Sequence, residues 1–407
     1  MTKTISTAQR YASERRFKAL GLAAILITAA FLAFLLTDIV GKAIPAFTTN
    51  AATLKVTVDP TLVDAANPKA GDYQGLLKKA WQAQFPAVTT RGDKKKLNGL
   101  ISARAADALQ DAVEADPSVI GKEITVPLAF SSEADLYLKG LRSDTLDERD
   151  VAWLEELRAK GVITSGFTTS FFTNGDSREP ENAGIRGALI GSIFTILVTF
   201  AVSLPLGVAA ALYLEEFAPK NRITDLIEVN INNLAAVPSI IFGLLGLAVF
   251  LNGFGLPRST ALVGGLVLAL LVLPTIIIAS RAAIRSVPPS IKEAALGVGA
   301  SHQQAVFHHV LPLAFPGILT GTILGVSRAL GETAPLLMIG MIAFIADVPG
   351  GITDSATVLP VQVFLWSDLP EEAFKARTAA AILVLLALLF CINALAIYMR
   401  NKFERRW

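Results

Sequence analysis

Residues 281–315 read RAAIRSVPPSIKEAALGVGASHQQAVFHHVLPLAF and sit between two long apolar runs. Arg281 and Arg285 lie one helical turn apart. Pro288-Pro289 stops the helix that carries them, because proline has no amide hydrogen and its ring crowds the preceding turn. Ser290, followed three residues later by Glu293, predicts an N-cap with a capping box for a new short helix. Ala294 and Ala295 give that helix a flat face, and Gly297 and Gly299 break it. Residues 305–310 begin a second helix that runs into Leu311-Pro312. Helix, glycine turn and helix make a compact knob outside any membrane.

Working outward, the chain is too apolar for a soluble protein of 407 residues, with 53% hydrophobic and 17% charged side chains. Runs of about 18 or more apolar residues cross a bilayer as helices. Six are expected, at residues 19–40, 184–214, 228–251, 260–281, 313–345 and 377–400. The fold class is therefore an all-α polytopic membrane protein. The first run follows Arg10, Arg15, Arg16 and Lys18 and is not followed by a small-x-small cleavage site, so it reads as a retained anchor behind a tail at 1–18.

The formal charge of +2 says little, because the charges are sorted into blocks. Lys220 with Arg222, Arg281 with Arg285 and Lys292, and finally Arg400, Lys402, Arg405 and Arg406 fall at every second boundary. Residues 346–372 carry Asp347, Asp354, Asp368, Glu371 and Glu372 with no lysine or arginine. The positive-inside rule then puts both termini, including the tail at 401–407, on the cytoplasmic side of the membrane.

Residues 41–183 are domain-sized and should lie outside as a small α+β insertion. Helices are expected over 98–114 and 146–160 and strands over 55–58 and 124–130. The run RGDKKK at 91–96 reads as a solvated turn and not as an anion or nucleic-acid patch. Glu228, Asn230, Asn232 and Asn233 cluster at the cytoplasmic end of the third run and read as snorkelling or interfacial solvation, the alternatives being bonds across helices or the lining of an exit. A lone Cys391 excludes an intrachain disulfide. His302, His308 and His309 lack the carboxylate or thiolate support of a metal site. No G-x-x-x-x-G-K-[ST] loop occurs, so the sequence offers no backbone nest and lysine with which to cradle ATP phosphates.

The fifth run contains ILGVSRALGETAPLLMIG at 323–340, which puts Arg328 and Glu332 on one helical face inside the apolar stretch. An arginine at bilayer depth costs at least about 2.5–3.5 kcal/mol and normally faces a protein interior or a wet cavity. Pro335 deprives the Gly331 carbonyl of its helical partner, which predicts a break at Glu332. Broken helices mark transport sites. Arg328 is expected to present a planar fork to an oxyanion, with Glu332 holding that fork between transport events; the alternative is a structural salt bridge that satisfies itself in the bundle interior.

Glu293-Ala294-Ala295, Gly299 and Leu311-Pro312 resemble the "EAA" signature of binding-protein-dependent ABC importer permeases. His309 departs from it, where the family usually has an aliphatic residue. SRALGETAPLL at 327–337 and AAVPSIIFGLLGL at 235–247 resemble the PstA family of phosphate permease subunits. The resemblance spans 184 to the C-terminus, while 41–183 is larger than the loop of the shorter members.

It implies a five-helix permease domain over 184–400, coupled through a loop at 284–312 by Glu293, Ala294, Ala295, Gly299, Leu311 and Pro312. The substrate pathway would pass Arg328, Glu332, Ser327 and Thr333. The implied partners are a PstC-like second permease, a PstB-like ATPase dimer that holds ATP and Mg, a periplasmic PstS-like phosphate-binding protein, and membrane lipid. The chain itself would be non-catalytic and without cofactor. Two other readings stay open: import of sulfate or molybdate, since an arginine fork suits any tetrahedral anion, and a receptor sensing a ligand through 41–183. A receptor needs an output domain, for which residues 401–407 are too short.

Overall fold

The computed structural model describes residues 7–64, 67–141 and 145–403; Arg405, Arg406 and the first six residues lie outside the described residues. Helix α1 (Thr7–Ala43) is apolar on all sides along most of its length, so no face of it is marked for a water-soluble core. It passes through a 3-10 turn at Ile44–Phe47, started by Pro45, into strand β1 (Thr48–Thr57). The anchor and the inserted domain are therefore joined without a linker.

The inserted domain contains α2 (Tyr73–Ala83), α3 (Arg91–Gly99), α4 (Ala105–Ala115), β2 (Glu123–Ala129), α5 (Ser132–Leu138), α6 (Glu148–Ala159) and β3 (Ile163–Phe167). The sheet order is β2-β1-β3, antiparallel throughout, with Leu54 opposite Val126 and Ala51 opposite Thr164. Alternation along β1 buries Ala52, Leu54 and Val56 on one face, as a strand with one covered side requires. Trp81 from α2 fills the centre: its Nε1 donates to the Leu97 carbonyl at 2.8 Å, and Phe85 and Phe130 pack edge-on to its ring.

Both expected strands are present, β1 longer than read and β2 of the length read but starting one residue earlier, whereas β3 was not expected. The helix expected over 98–114 is two helices, separated at Leu100–Arg104. RGDKKK is not a turn. It opens α3, because Thr90 caps the Asp93 amide and fixes the first turn. Two of its charges are paired, Asp93 with Arg149 at 3.0 Å and Lys96 with Asp147. The hydrogen bond from Lys96 and the amides of Asp150 and Arg149 hold the Asp147 carboxyl down at about 2.

After α7 (Ser170–Thr173) the bundle begins with α8 (Arg186–Leu212), followed by α9 (Arg222–Ala235), α10 (Ser239–Gly246), α11 (Ala261–Arg285), α12 (Pro289–Gly297), α13 (His302–Ala305), α14 (Leu311–Gly331), α15 (Ala334–Met338), α16 (Leu359–Ser367) and α17 (Glu372–Phe403). Among the described residues five helical spans are long and apolar enough to cross a membrane: Arg10–Phe47, Arg186–Phe217, Ala261–Arg285, His302–Gly331 and Glu372–Lys402. A sixth span is reached only by taking Arg222–Ala235 and Ser239–Gly253 together, a pair bent by 103°. A single helix over 228–251 does not form. Pro238 supplies no amide and pushes Val237 out of the α region, so the chain turns there.

α11 is the central helix. Thr199 on α8 donates to the Gly265 carbonyl of α11 at 3.1 Å, and Gly317 and Gly321 of α14 lie against Ala283 and Ala279. Lipid gives helices no hydrophobic reason to associate, so close approach of small residues and such hydrogen bonds hold them.

The segment at 346–372 is not a plain loop. α16 packs back on the bundle, with the Leu359 amide on Ser192 Oγ at 2.7 Å and Trp366 Nε1 on Asp176 Oδ1 at 2.9 Å. Burial pushes the Asp176 carboxyl up. The inserted domain is pinned to the same end. Lys139 donates to the carbonyls of Pro45 and Thr48 at 2.7 and 2.6 Å and to Asp135, and Arg377 lies over the Phe171 ring at 5.3 Å.

Trp81→Ala should destabilise the inserted domain by about 3–5 kcal/mol, the range for truncating a buried aromatic. Limited proteolysis of the membrane-inserted full chain checks this, with new cuts expected within Thr48–Phe167 and the bundle spared.

Candidate coupling and translocation sites

At the end of the bundle that carries α12, the knob forms with one change. Pro289 is already the first residue of α12, so Ser290 lies inside the helix and makes no cap to Glu293. Proline is preorganised for that first position and loses no bond there, which starts the helix one residue early. The capping box lies instead at Ser301 and Gln304: the Gln304 amide donates to Ser301 Oγ at 3.3 Å, and the Ser301 amide to Gln304 Oε1 at 2.9 Å. Between the helices Gly299 has φ of +94°, a conformation that strains any side chain with a Cβ.

Glu293 and Ala294 are exposed and Ala295 is buried. Leu296 and Val298 add apolar surface, Val298 being 88% exposed. Leu311 and Pro312 do not belong to the exposed tip. They continue the helix from His302 through a π turn at Val306–Val310, with Leu311 packed beside Val310, Ala314 and Ile318. His309, the departure from the family pattern, is exposed, so its polarity meets solvent and not the core.

A charge cluster at the end of α8 anchors this knob. α8 ends in a π turn at Tyr213–Phe217 that carries Glu215 and Glu216. Glu215 receives Arg281 Nε at 2.5 Å and Arg285 Nε at 2.7 Å, and Arg281 Nη2 reaches Glu228 at 2.5 Å. Glu228 is thus an ion-pair partner joining α9 to α11, which corrects its reading as interfacial solvation. Glu216 pairs with Lys292 of α12, and its backbone carbonyl is 2.9 Å from His302 Nε2. One turn of α8 therefore grips α11, α12 and α13 together. The sequence signal was present: two carboxylates at the end of an apolar run, and two arginines one turn apart.

In the fifth span, α14 stops at Gly331, with Glu332 extended at φ −82° and ψ 120°. The break expected from Pro335 is found, but the single helix over 313–345 is not. The chain instead makes α15 and then turns at Gly340, whose φ is +94°. Arg328 consequently sits in the last turn of α14, the end of a helix at which a positive charge is favourable. Arg328 Nε is 3.5 Å from Glu332 Oε1, and the two side chains are 46% and 20% exposed. Ser327 Oγ donates to Asn393 Oδ1 at 2.6 Å, tying α14 to α17. The Thr333 carbonyl accepts the Leu336 and Leu337 amides, both at 3.1 Å.

The two PstA-like stretches pack on one another. A Cβ on Gly243 of α10 would lie 2.7 Å from Pro335 Cα, so glycine is what allows α10 to cross the break at Glu332–Pro335. Among the described residues no group of three or more His, Cys, Asp or Glu is arranged around a metal position.

This arrangement, a broken-helix bundle with a projecting helix-turn-helix knob, defines a transport permease, and the comparisons agree. Residues 203–406 match the family described as "binding-protein-dependent transport system inner membrane component", and the chain belongs to that family. Residues 4–148 match a domain of unknown function. The relatives place the chain more narrowly, among PstA-type permeases. It is 32% identical to phosphate transport system permease protein PstA 1 of Mycobacterium tuberculosis over 256 residues, 62% of this chain and 82% of that protein. It is also 32% identical to the probable ABC transporter permease YqgI of Bacillus subtilis over 246 residues, 56% of this chain and 83% of that one. A chain of the methionine ABC transporter MetNI, in an inward-facing form, overlays 54% of this chain and 96% of its own with a TM-score of 0.43 at 18% identity.

Glu215→Ala leaves the buried Arg281 with Glu228 alone. It should lower the thermal stability of the solubilised protein by about 3 kcal/mol, the low end for breaking a buried ion pair. Glu215→Leu combined with Arg281→Met should recover part of that loss, and a single variant that melts like the wild type would show that the pair holds nothing.

Proposed function

We propose that this chain is one permease subunit of an ATP-driven importer of inorganic phosphate, with both termini on the ATPase side and the inserted domain on the outside. The observation that carries this reading is Arg328 at the break in α14, half exposed and held only at 3.5 Å by Glu332. An ion pair of that length and exposure contributes about 1 kcal/mol or less, so an arriving oxyanion displaces Glu332 at little cost. Arg328 then takes the anion through paired N–H donors, with Ser327 and Thr333 beside it. The named PstA relatives support phosphate as that anion.

On this reading the exposed surface of Glu293, Ala294, Leu296 and Val298 enters a cleft on a PstB-like ATPase, whose dimer supplies the ATP and Mg chemistry. The grip of Glu215 and Glu216 on α11, α12 and α13 turns movement of the knob into movement of the bundle against a PstC-like second permease. Phosphate is delivered by a PstS-like binding protein. From Leu311 to Arg328 the motion travels along one helix, about 26 Å at 1.5 Å per residue.

Arg328→Gln should abolish ATP-dependent phosphate uptake into cells or vesicles while membrane insertion is unchanged; normal uptake would remove Arg328 from the pathway. Competition by sulfate and molybdate in the same assay identifies the anion, and phosphate should compete best. Gly299→Asp, strained at φ +94°, should leave phosphate delivery intact and disconnect uptake from ATP hydrolysis, read as hydrolysis that phosphate no longer stimulates.

A further inference from the structure

Where α1 ends, three phenylalanine rings from three different elements form a ladder. Phe47 and Phe172 stack with centroids 5.9 Å apart and 7° from parallel, and Phe172 and Phe167 stack at 6.0 Å and 9°. Phe171 fixes the ladder from beneath, edge-on to Phe47 at 5.6 Å and to Phe172 at 5.0 Å. Phe171 is itself buried with Ala43, Ala46, Trp366 and Phe374. The ladder is therefore rooted in the core yet open on its outer side: Phe167 is 64% exposed, Phe172 42% and neighbouring Ile44 58%. A fixed row of apolar rings is costly to leave in water and marks a surface with an occupant.

Continuity identifies that occupant. The apolar span of α1 runs Arg10–Phe47, and none of its most apolar window is buried in the protein, so a membrane-spanning α1 presents that window to lipid and carries Phe47 at its end. The exposed Asp38 and Lys42 pair, 2.7 Å apart on α1, sets the level at which charge becomes tolerable. From Lys42 to Phe47 the chain rises at most about 10 Å, comparable to the depth of one headgroup layer, about 5–8 Å. Aromatic rings collect at that level because a flat apolar body suits the boundary between chains and headgroups.

We propose that the inserted domain rests on the bilayer: the Phe47, Phe172 and Phe167 ladder is seated in the headgroup region, and β3 lies along the membrane surface. β3 is an edge strand with one unpaired side. Laying it against headgroups also shields it from pairing with a second chain.

Cys391 is the single cysteine, so Cys391→Ser provides a clean background for labelling. In that background, Phe167→Cys, Phe172→Cys and Ser165→Cys each take an environment-sensitive fluorophore. Ser165→Cys leaves the ladder intact and reports even if the ring variants fold poorly, and Lys95→Cys on α3 is the exposed reference. The full chain, with whatever subunits co-purify, is placed in phosphatidylethanolamine and phosphatidylglycerol vesicles containing lipids spin-labelled near the headgroup. Quenching by those lipids severalfold above the Lys95→Cys reference, with protection from aqueous iodide, is the expected result. Lipid quenching no greater than at the reference overturns the proposal. So does protection from both quenchers, because the cover would then be protein.

Discussion

Everything in the bundle depends on how closely neighbouring backbones approach α11. Gly265 lets α8 come near enough for Thr199 to reach a main-chain carbonyl, and Gly317 and Gly321 set α14 against Ala279 and Ala283. In water such contacts would be minor beside apolar burial. In lipid they are the main source of specificity, because an apolar side chain gains nothing by exchanging a lipid neighbour for a protein one. Ion pairs then add direction at one end: Glu215 draws Arg281 and Arg285 to the end of α8, and Glu216 draws in Lys292.

Two prolines give this rigid frame its irregular parts. Pro238 separates α9 from α10, and Pro335 stops α14 and starts α15. Each break frees backbone groups that lipid cannot satisfy, so each must be covered by protein or open onto water. The two breaks meet through Gly243 on Pro335, so each helps to cover the other. Arg328 stands at the edge of that junction, where a charge can be tolerated without being locked in place.

Much of this was legible in the sequence because it follows from short-range rules. Apolar runs located the spans, Pro335 located the break at Glu332, and the glycines after Ala295 located the turn of the knob. The failures have two causes: a neighbouring residue that outcompeted the expected local signal, and partners distant in the chain. Ser290 and Glu293 had the spacing of a capping box, but Pro289 claimed the first helical position. Glu228 read as a solvated charge because Arg281 is distant in the chain. Val237-Pro238 was absorbed into a hydropathy window that records composition and not direction. β3, with Ser165 and Gly166, has too little apolar alternation to announce a strand, and it forms because β1 offers it an open edge.

The route from α1 straight into the central strand also sets the order in which the protein can be made. β1 leaves the membrane early, yet both its partners come later, and β3 ends at Phe167, more than a hundred residues after β1 ends at Thr57. At ribosomal speeds of about 5–20 residues per second, β1 waits roughly 4–14 s for β2, complete at Ala129, and roughly 5–20 s for β3. The second edge of the central strand therefore closes last, with that strand already tethered to the bilayer. The tether confines search to the neighbourhood of one anchored strand and leaves that strand, for those seconds, as the part of the chain most in need of a chaperone.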